Sequence, residues 1–214
     1  MLVPDLAVLD PDVAAAGLAG FGFVPDGGLW RLGNQVLRLS PASPGGAVPG
    51  HGRIDHIALT VPDIDAALAG LVARGIALDT GVTPDGPGLI PEFWGDGLRY
   101  VYLAGPEGAR IEFCQRITGA PDAMGHDHIG IPCDDIAAMT AFFQAQGASP
   151  VAAYTLSRPG GDIPVRFLAF QGGVIELYQP AAASRSAPSL WSRLLVGGLA
   201  AAVDGPEGLH LAPL

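Results

Sequence analysis

The chain of 214 residues contains no lysine; its eleven basic residues are all arginine. Schiff-base chemistry and the lysine of a phosphate-binding loop are thereby excluded. Cysteine is nearly absent, and Cys114 and Cys133 are too few and too loosely spaced for a disulfide framework or a structural zinc site. No long hydrophobic run exists either. The longest, 194–203, holds ten residues, two of them glycine, against the roughly 20 that a bilayer requires. Positive charge is scarce: 21 acidic side chains against 11 basic ones leave a net charge of -10, which opposes binding to nucleic acid or to an anionic membrane surface. The acidic opening, 1–12, lacks the basic and apolar regions of a signal peptide. A cytoplasmic protein with a small-molecule partner, monomeric or homodimeric, is expected.

What is abundant is glycine, 31 residues, and proline, 20, in a chain that is 49% apolar and only 15% charged. That describes a folded, turn-rich protein of many short elements, large enough for one sizeable domain or two small ones. The richness in Ala, Gly, Pro and Arg is that of GC-rich, bacterial-like coding.

The chain also repeats itself. Asp55-His56-Ile57-Ala58-Leu59-Thr60-Val61 has a close copy in Asp127-His128-Ile129-Gly130-Ile131-Pro132-Cys133. Seven residues after each histidine stands an aspartate, Asp63 or Asp135, and twelve further on a glycine, Gly75 or Gly147. Between them Ile64, Ala67, Leu68, Leu71 and Val72, and again Ile136, Met139, Thr140 and Phe143, make helical stripes. The aspartates suit the N-cap and the glycines the left-handed position past the C-terminus. β-type runs follow, clearest at 98–103 and 165–170. The last run of each copy ends alike, Ile111-Glu112-Phe113-Cys114-Gln115 and Ile175-Glu176-Leu177-Tyr178-Gln179. Each copy thus reads as strand, helix and three strands.

The predicted organisation is α+β. A degenerate module-like segment occupies 1–45, full βαβββ modules occupy 51–118 and 125–180, and 188–214 forms a C-terminal helix and strand packed on the N-terminal segment. In that segment Asp10-Pro11-Asp12 is aligned with Val61-Pro62-Asp63, which sets Asp5 in place of the histidine and Leu37 in place of the glutamate. The helix is expected over 190–203 and a linker over 180–188. The tail Gly205-Pro206-Glu207-Gly208 echoes Gly105-Pro106-Glu107-Gly108.

Alternation on a strand turns Ile57, Leu59 and Val61 towards the helix and His56 to the opposite, concave face. Glu112 and Glu176 face away from their apolar neighbours in the same way. Buried carboxylates need partners, and two imidazoles with two carboxylates suit one divalent cation.

These paired motifs resemble the vicinal oxygen chelate superfamily, the group of glyoxalase I, methylmalonyl-CoA epimerase, the extradiol dioxygenases and the bleomycin-resistance proteins. The resemblance covers about 51–180 and implies a glyoxalase-like fold in which paired modules form one cup-shaped mixed sheet. It implies metal ligands at His56, Glu112, His128 and Glu176, holding one divalent ion (Zn, Ni, Co, Mn or Fe). It further implies a metal-dependent isomerase, epimerase or lyase that abstracts a proton next to a carbonyl while the metal stabilises the enediolate. The resemblance makes Glu176 and Glu112 the expected catalytic carboxylates and favours Glu176, in the second module, as the base. Two alternatives stand beside this one: an Fe(II) extradiol-type dioxygenase with a triad of His56, His128 and Glu176, and a metal-free binding or resistance protein. Arg110, His126, Phe93 and Trp94 are candidate substrate contacts, the aromatic pair as a lid or as anchors of the long segment 83–97. His51 and His210 are expected at the surface.

Overall fold

The structure, a computed structural model, describes residues 1–42, 54–180 and 190–214. The N-terminal unit runs β1 (Leu2–Val8), α1 (Pro11–Phe21), β2 (Val24–Asp26), β3 (Leu29–Leu32) and β4 (Gln35–Pro41). The next has β5 (His56–Thr60), α2 (Ile64–Val72), β6 (Gly88–Ile90), β7 (Leu98–Ala104) and β8 (Arg110–Arg116). The third has β9 (Gly125–Pro132), α3 (Ile136–Ala145), β10 (Ser149–Arg158), β11 (Gly161–Phe170) and β12 (Gly173–Tyr178). The chain closes with β13 (Trp191–Val196), β14 (Val203–Asp204) and β15 (His210–Pro213).

Local chemistry sets the helices. Asp10, Asp63 and Asp135 each cap one, their side chains accepting from two backbone N–H groups of the first turn. Gly22, Gly75 and Gly147 lie just past the ends with φ of 100°, 82° and 95°, a conformation that a Cβ would strain. Gln115 and Gln179, which end the two matched strands, accept from the N–H of Ile64 and Ile136 and so tie each last strand to its own helix.

Eight strands form one sheet in the order β10-β11-β12-β9-β5-β8-β7-β6, and seven form another in the order β14-β15-β13-β1-β4-β3-β2. The plan is the same in both. Two first strands pair antiparallel at the centre, β5 with β9 and β1 with β13, and each is flanked by a parallel last strand. The helix-facing sides of both sheets share one apolar core, in which Leu6, Leu18, Ile57, Leu59, Ile131, Phe143 and Trp191 are buried together.

Two sequence expectations are corrected. Residues 190–203 do not form a helix: Trp191–Val196 is a strand laid against β1. The apolar run fits either period, but β1 would otherwise leave an open row of backbone donors and acceptors, and Gly197-Gly198 disfavours continuing a helix. The N-terminal alignment slips by two residues, because Asp10 rather than Asp12 is the cap and Pro11 takes the first helical turn. Asp5 therefore matches Ala58, not His56, and the segment carries all three of its later strands. The linker expected at 180–188 lies almost wholly outside the described residues.

The repeated Gly-Pro-Glu-Gly turn locks the two sheets together. Glu107, in the turn before β8, accepts from the N–H groups of Leu9 and Asp10 at 2.9 and 2.8 Å, at the start of α1. Glu207, in the turn before β15, accepts from those of Asp134 and Asp135 at the start of α3. Each sheet thus caps a helix of the other. Removing either carboxylate, in Glu107→Ala or Glu207→Ala, is expected to cost about 1 kcal/mol, the usual worth of an N-terminal cap. Urea unfolding midpoints lowered in both variants would show it, whereas Glu107→Asp, too short to reach, should behave like the alanine variant.

Candidate metal centre

Seven polar or charged residues are buried among those described, and four of them are His56, Glu112, His128 and Glu176. They meet because β5 and β9 run side by side between β8 and β12. Ala58 stands opposite both Glu112 and His128, while Gly130 stands opposite both His56 and Glu176. Small residues at these two crossing points leave room for the four larger ones. At Gly130 the need is strict, since a Cβ there would overlap the imidazole ring of His56.

The four side chains point at a common centre. His56 Nε2 and His128 Nε2 are 3.2 Å apart, and Glu112 Oε2 is 3.2 Å from each. Glu176 Oε2 lies 3.4 Å from His128 Nε2 and 3.9 Å from His56 Nε2. Bonds of about 2.0–2.2 Å to one shared cation place neighbouring donors roughly 3.0–3.5 Å apart, so the residues fit a divalent ion. On the far side of each ring, Nδ1 meets the preceding aspartate, His56 to Asp55 at 3.0 Å and His128 to Asp127 at 2.8 Å. A carboxylate there fixes the Nδ1–H tautomer and turns the Nε2 lone pair inward.

Two inward lone pairs and two carboxylates demand positive charge. Without a metal the cage holds protons instead. Burial lowers the basicity of His56, but its hydrogen bonds to Asp55 and Glu112 outweigh that and raise its pKa to about 9. His128 is likewise raised well above the usual imidazole value, burial being overcome by Glu176, Asp127 and Glu112. Burial pushes Glu112 up, yet its bonds to His128 and His56 bring it down to about 2. The sign follows from these directions. The stabilisation by protonated His56 is complete below about pH 6.5 and is lost as pH rises through about 9.

The cage forms the floor of a cavity of about 300 Å³ walled by Phe93, Leu98, Leu156 and Val165, with Tyr100, Tyr102 and Tyr178 adding hydroxyls. Tyr102 packs edge-on to His56, its hydroxyl 3.4 Å from the ring nitrogens. Phe167 packs edge-on to His128. Burial raises the Tyr102 phenol well above 10, which keeps it a neutral hydrogen-bond donor.

The other expected contacts divide. Arg110 reaches the cavity wall, but its guanidinium bonds Asp55 at 2.6 Å and Asp79 at 2.9 Å; it acts on the site by holding Asp55. Phe93 is buried against Tyr154 and Phe167 on the cavity wall. Trp94 turns away beneath Arg116, whose guanidinium carbon is 3.9 Å from the indole, and the backbone N–H of Trp94 donates to Tyr154 Oη. The pair anchors its segment. His126 is not in the cup: a register shift between Ala58 and Leu59 breaks the alternation of β9. Its Nδ1 meets Gln35 and its Nε2 accepts from the N–H of Val174, and burial lowers its pKa to about 4. His210 pairs with Asp204 at 2.7 Å, and His51 lies outside the described residues. Sequence reasoning missed Asp55, Asp127 and Gly130 as parts of the site. The twice-repeated Asp-His was the available signal for the aspartates, and the Ala58/Gly130 mismatch was the signal for the glycine.

No protein-family profile and no curated protein matches the chain. Solved structures do. A mutant of glyoxalase I from Zea mays superposes with a TM-score of 0.64 over 91% of this chain and 74% of that one, at 15% identity. A second mutant of the same maize enzyme gives 0.57 over 83% and 68%, again at 15% identity. A mutant 4-hydroxymandelate synthase from Streptomyces coelicolor gives 0.51 over 87% and 72%, at 13% identity. The chain therefore has the fold of the vicinal oxygen chelate superfamily. No helix among the described residues is long and apolar enough to cross a membrane.

Proposed function

We propose that the protein is a metal-dependent isomerase, epimerase or lyase of the glyoxalase I type, with one divalent ion held by His56, Glu112, His128 and Glu176. The observation that carries this reading is the convergence of two buried carboxylates on two buried imidazoles, each carboxylate oxygen 3.2–3.9 Å from both Nε2 atoms, with both imidazoles oriented by further carboxylates. When bound there, the ion supplies Lewis-acid stabilisation of the negative charge that develops on neighbouring substrate oxygens. The chain does the rest. Glu176, at the wall of the cavity, would take the proton from the carbon beside the carbonyl with one carboxylate oxygen; in an isomerase or lyase the proton returns to the adjacent carbon, and in an epimerase the same carbon is reprotonated. Tyr102 donates from the side of His56, and the apolar wall keeps bulk water from the acidic carbon.

A ring-cleaving Fe(II) dioxygenase is the second reading, since His56, His128 and Glu176 alone make a compact three-donor group. Glu112, equidistant from both imidazoles, weighs against it by filling a position that such chemistry leaves open. The same closed set weighs against a metal-free binding protein. Screening the reconstituted protein with 2-oxoaldehyde hemithioacetals, 2-methylmalonyl-type thioesters and catechols tests the choice. Turnover of one of the first two without oxygen uptake is expected, and oxygen-dependent loss of a catechol would move the assignment to the second reading.

A further inference from the structure

The second sheet repeats the plan of the first with its concave chemistry inverted. In the first, Ala58 stands between Glu112 and His128. At the matching point of the second, Asp5 stands between Arg38 on β4 and Arg193 on β13. Cation ligands have given way to a pair of guanidinium groups.

Asp5 is the pivot of this arrangement. It is 1% exposed and accepts from Arg38 Nη2 at 2.8 Å, Arg38 Nε at 3.2 Å, Arg193 Nε at 2.9 Å and the Ser40 hydroxyl at 2.6 Å. Burial works to raise its pKa, yet these bonds hold it below the usual carboxylate range. Asp5 is thus a saturated anion, and it uses only part of each guanidinium. Among the described residues Arg38 and Arg193 bond no other partner, which leaves both terminal nitrogens of Arg193 available.

Arg193 opens onto a cavity of about 450 Å³ whose wall also includes Ala7, Ser40, Ser192 and the His210–Asp204 pair. Beside it, where the first sheet has His56, the second has Val3 in an apolar cluster with Val36, Leu195 and Ala212. Hydrophobic filling thus already covers part of this face. Only the carboxylate of this triad is buried, the side chains of Arg38 and Arg193 being 30% and 39% exposed, so the guanidinium groups face the cup rather than the core, and a chain of net charge -10 has no general reason to gather two arginines over one carboxylate.

We propose that this second cup binds a small oxyanion, carboxylate or phosphate, through the free fork of Arg193; the Ser40 and Ser192 hydroxyls already donate to Asp5 and only border the site. Asp5 positions the arginine and does not touch the ligand. The site is independent of the metal centre and of its assignment.

Calorimetric titration of the full chain with inorganic phosphate and, separately, with acetate and succinate tests it, the arms distinguishing the two oxyanion sources. Saturable binding in at least one arm is expected, weakened about tenfold or more in Arg193→Gln, as loss of a charge-assisted hydrogen bond implies. Ala7→Leu, which adds volume to the cavity wall and removes none of the partners of Asp5, should weaken it comparably and decides the matter if Arg193→Gln does not fold. No saturable binding in any arm, or binding unchanged in Ala7→Leu, overturns the proposal.

Discussion

Glu176→Gln is expected to lower turnover by about 10²- to 10⁴-fold, the range that follows loss of a general base, while the protein still binds its metal through the amide oxygen. Glu112→Gln should lose less. The geometry separates the two carboxylates: Glu112 is 3.2 Å from both imidazoles, whereas Glu176 is 3.9 Å from His56, with 10% of its side chain exposed against 5% for Glu112. On the proposed reading the tighter member would be the structural ligand and the looser one would exchange the proton. The loss in Glu176→Gln should fall on kcat with KM little changed, because the proton is transferred only in the transition state. If Glu112→Gln kept full activity with oxygen uptake, the three-donor dioxygenase reading would replace the isomerase one.

Gly130→Ala should disable the site without altering any ligand. The added methyl group overlaps the ring of His56, so the imidazole must swing out of the cage. Metal sites tolerate displacements of only about 0.5 Å. Disrupting an outer-shell partner alone costs about 10- to 100-fold in affinity, and moving a direct ligand should cost at least the upper end of that range. Ala58→Gly, at the equivalent crossing point, removes volume instead and should leave affinity within a few-fold of wild type. Wild-type affinity in Gly130→Ala would mean that His56 is not a ligand.

Much of this site is legible in the sequence, because its two halves are written twice. The duplicated Asp-His-Ile and the two Ile-Glu runs fix which residues are equivalent, and strand alternation places His56 and Glu112 opposite their apolar neighbours. The helices are legible for a local reason, since Asp63 and Gly75 bracket one stripe and Asp135 and Gly147 the other. Where the determinant is distant, legibility fails. Residues 191–196 are a strand because β1 needs an antiparallel neighbour 187 positions away, as the Ser192 bond to Asp5 illustrates. The two aspartates of Asp10-Pro11-Asp12 suit the cap equally well on paper, and only the bonds to Asp12 and Val13 select Asp10. His126 leaves the cup through a register shift that no local pattern announces. Glu107 and Glu207 look like turn residues until the two sheets meet.

The central claim is that one cage of four side chains holds one divalent ion. Calorimetric titration of chelator-treated protein with Zn, Ni, Co, Mn and Fe(II), between pH 6 and 9 in buffers of different ionisation enthalpy, tests it most directly. The account predicts one ion per chain, release of about one to two protons at neutral pH as the metal displaces those on His56 and His128, and affinity that rises towards pH 9 as His56 deprotonates. Binding should be lost in His56→Ala and His128→Ala. Wild-type protein that binds none of the five metals, or binds one with equal affinity in both histidine variants, would contradict it.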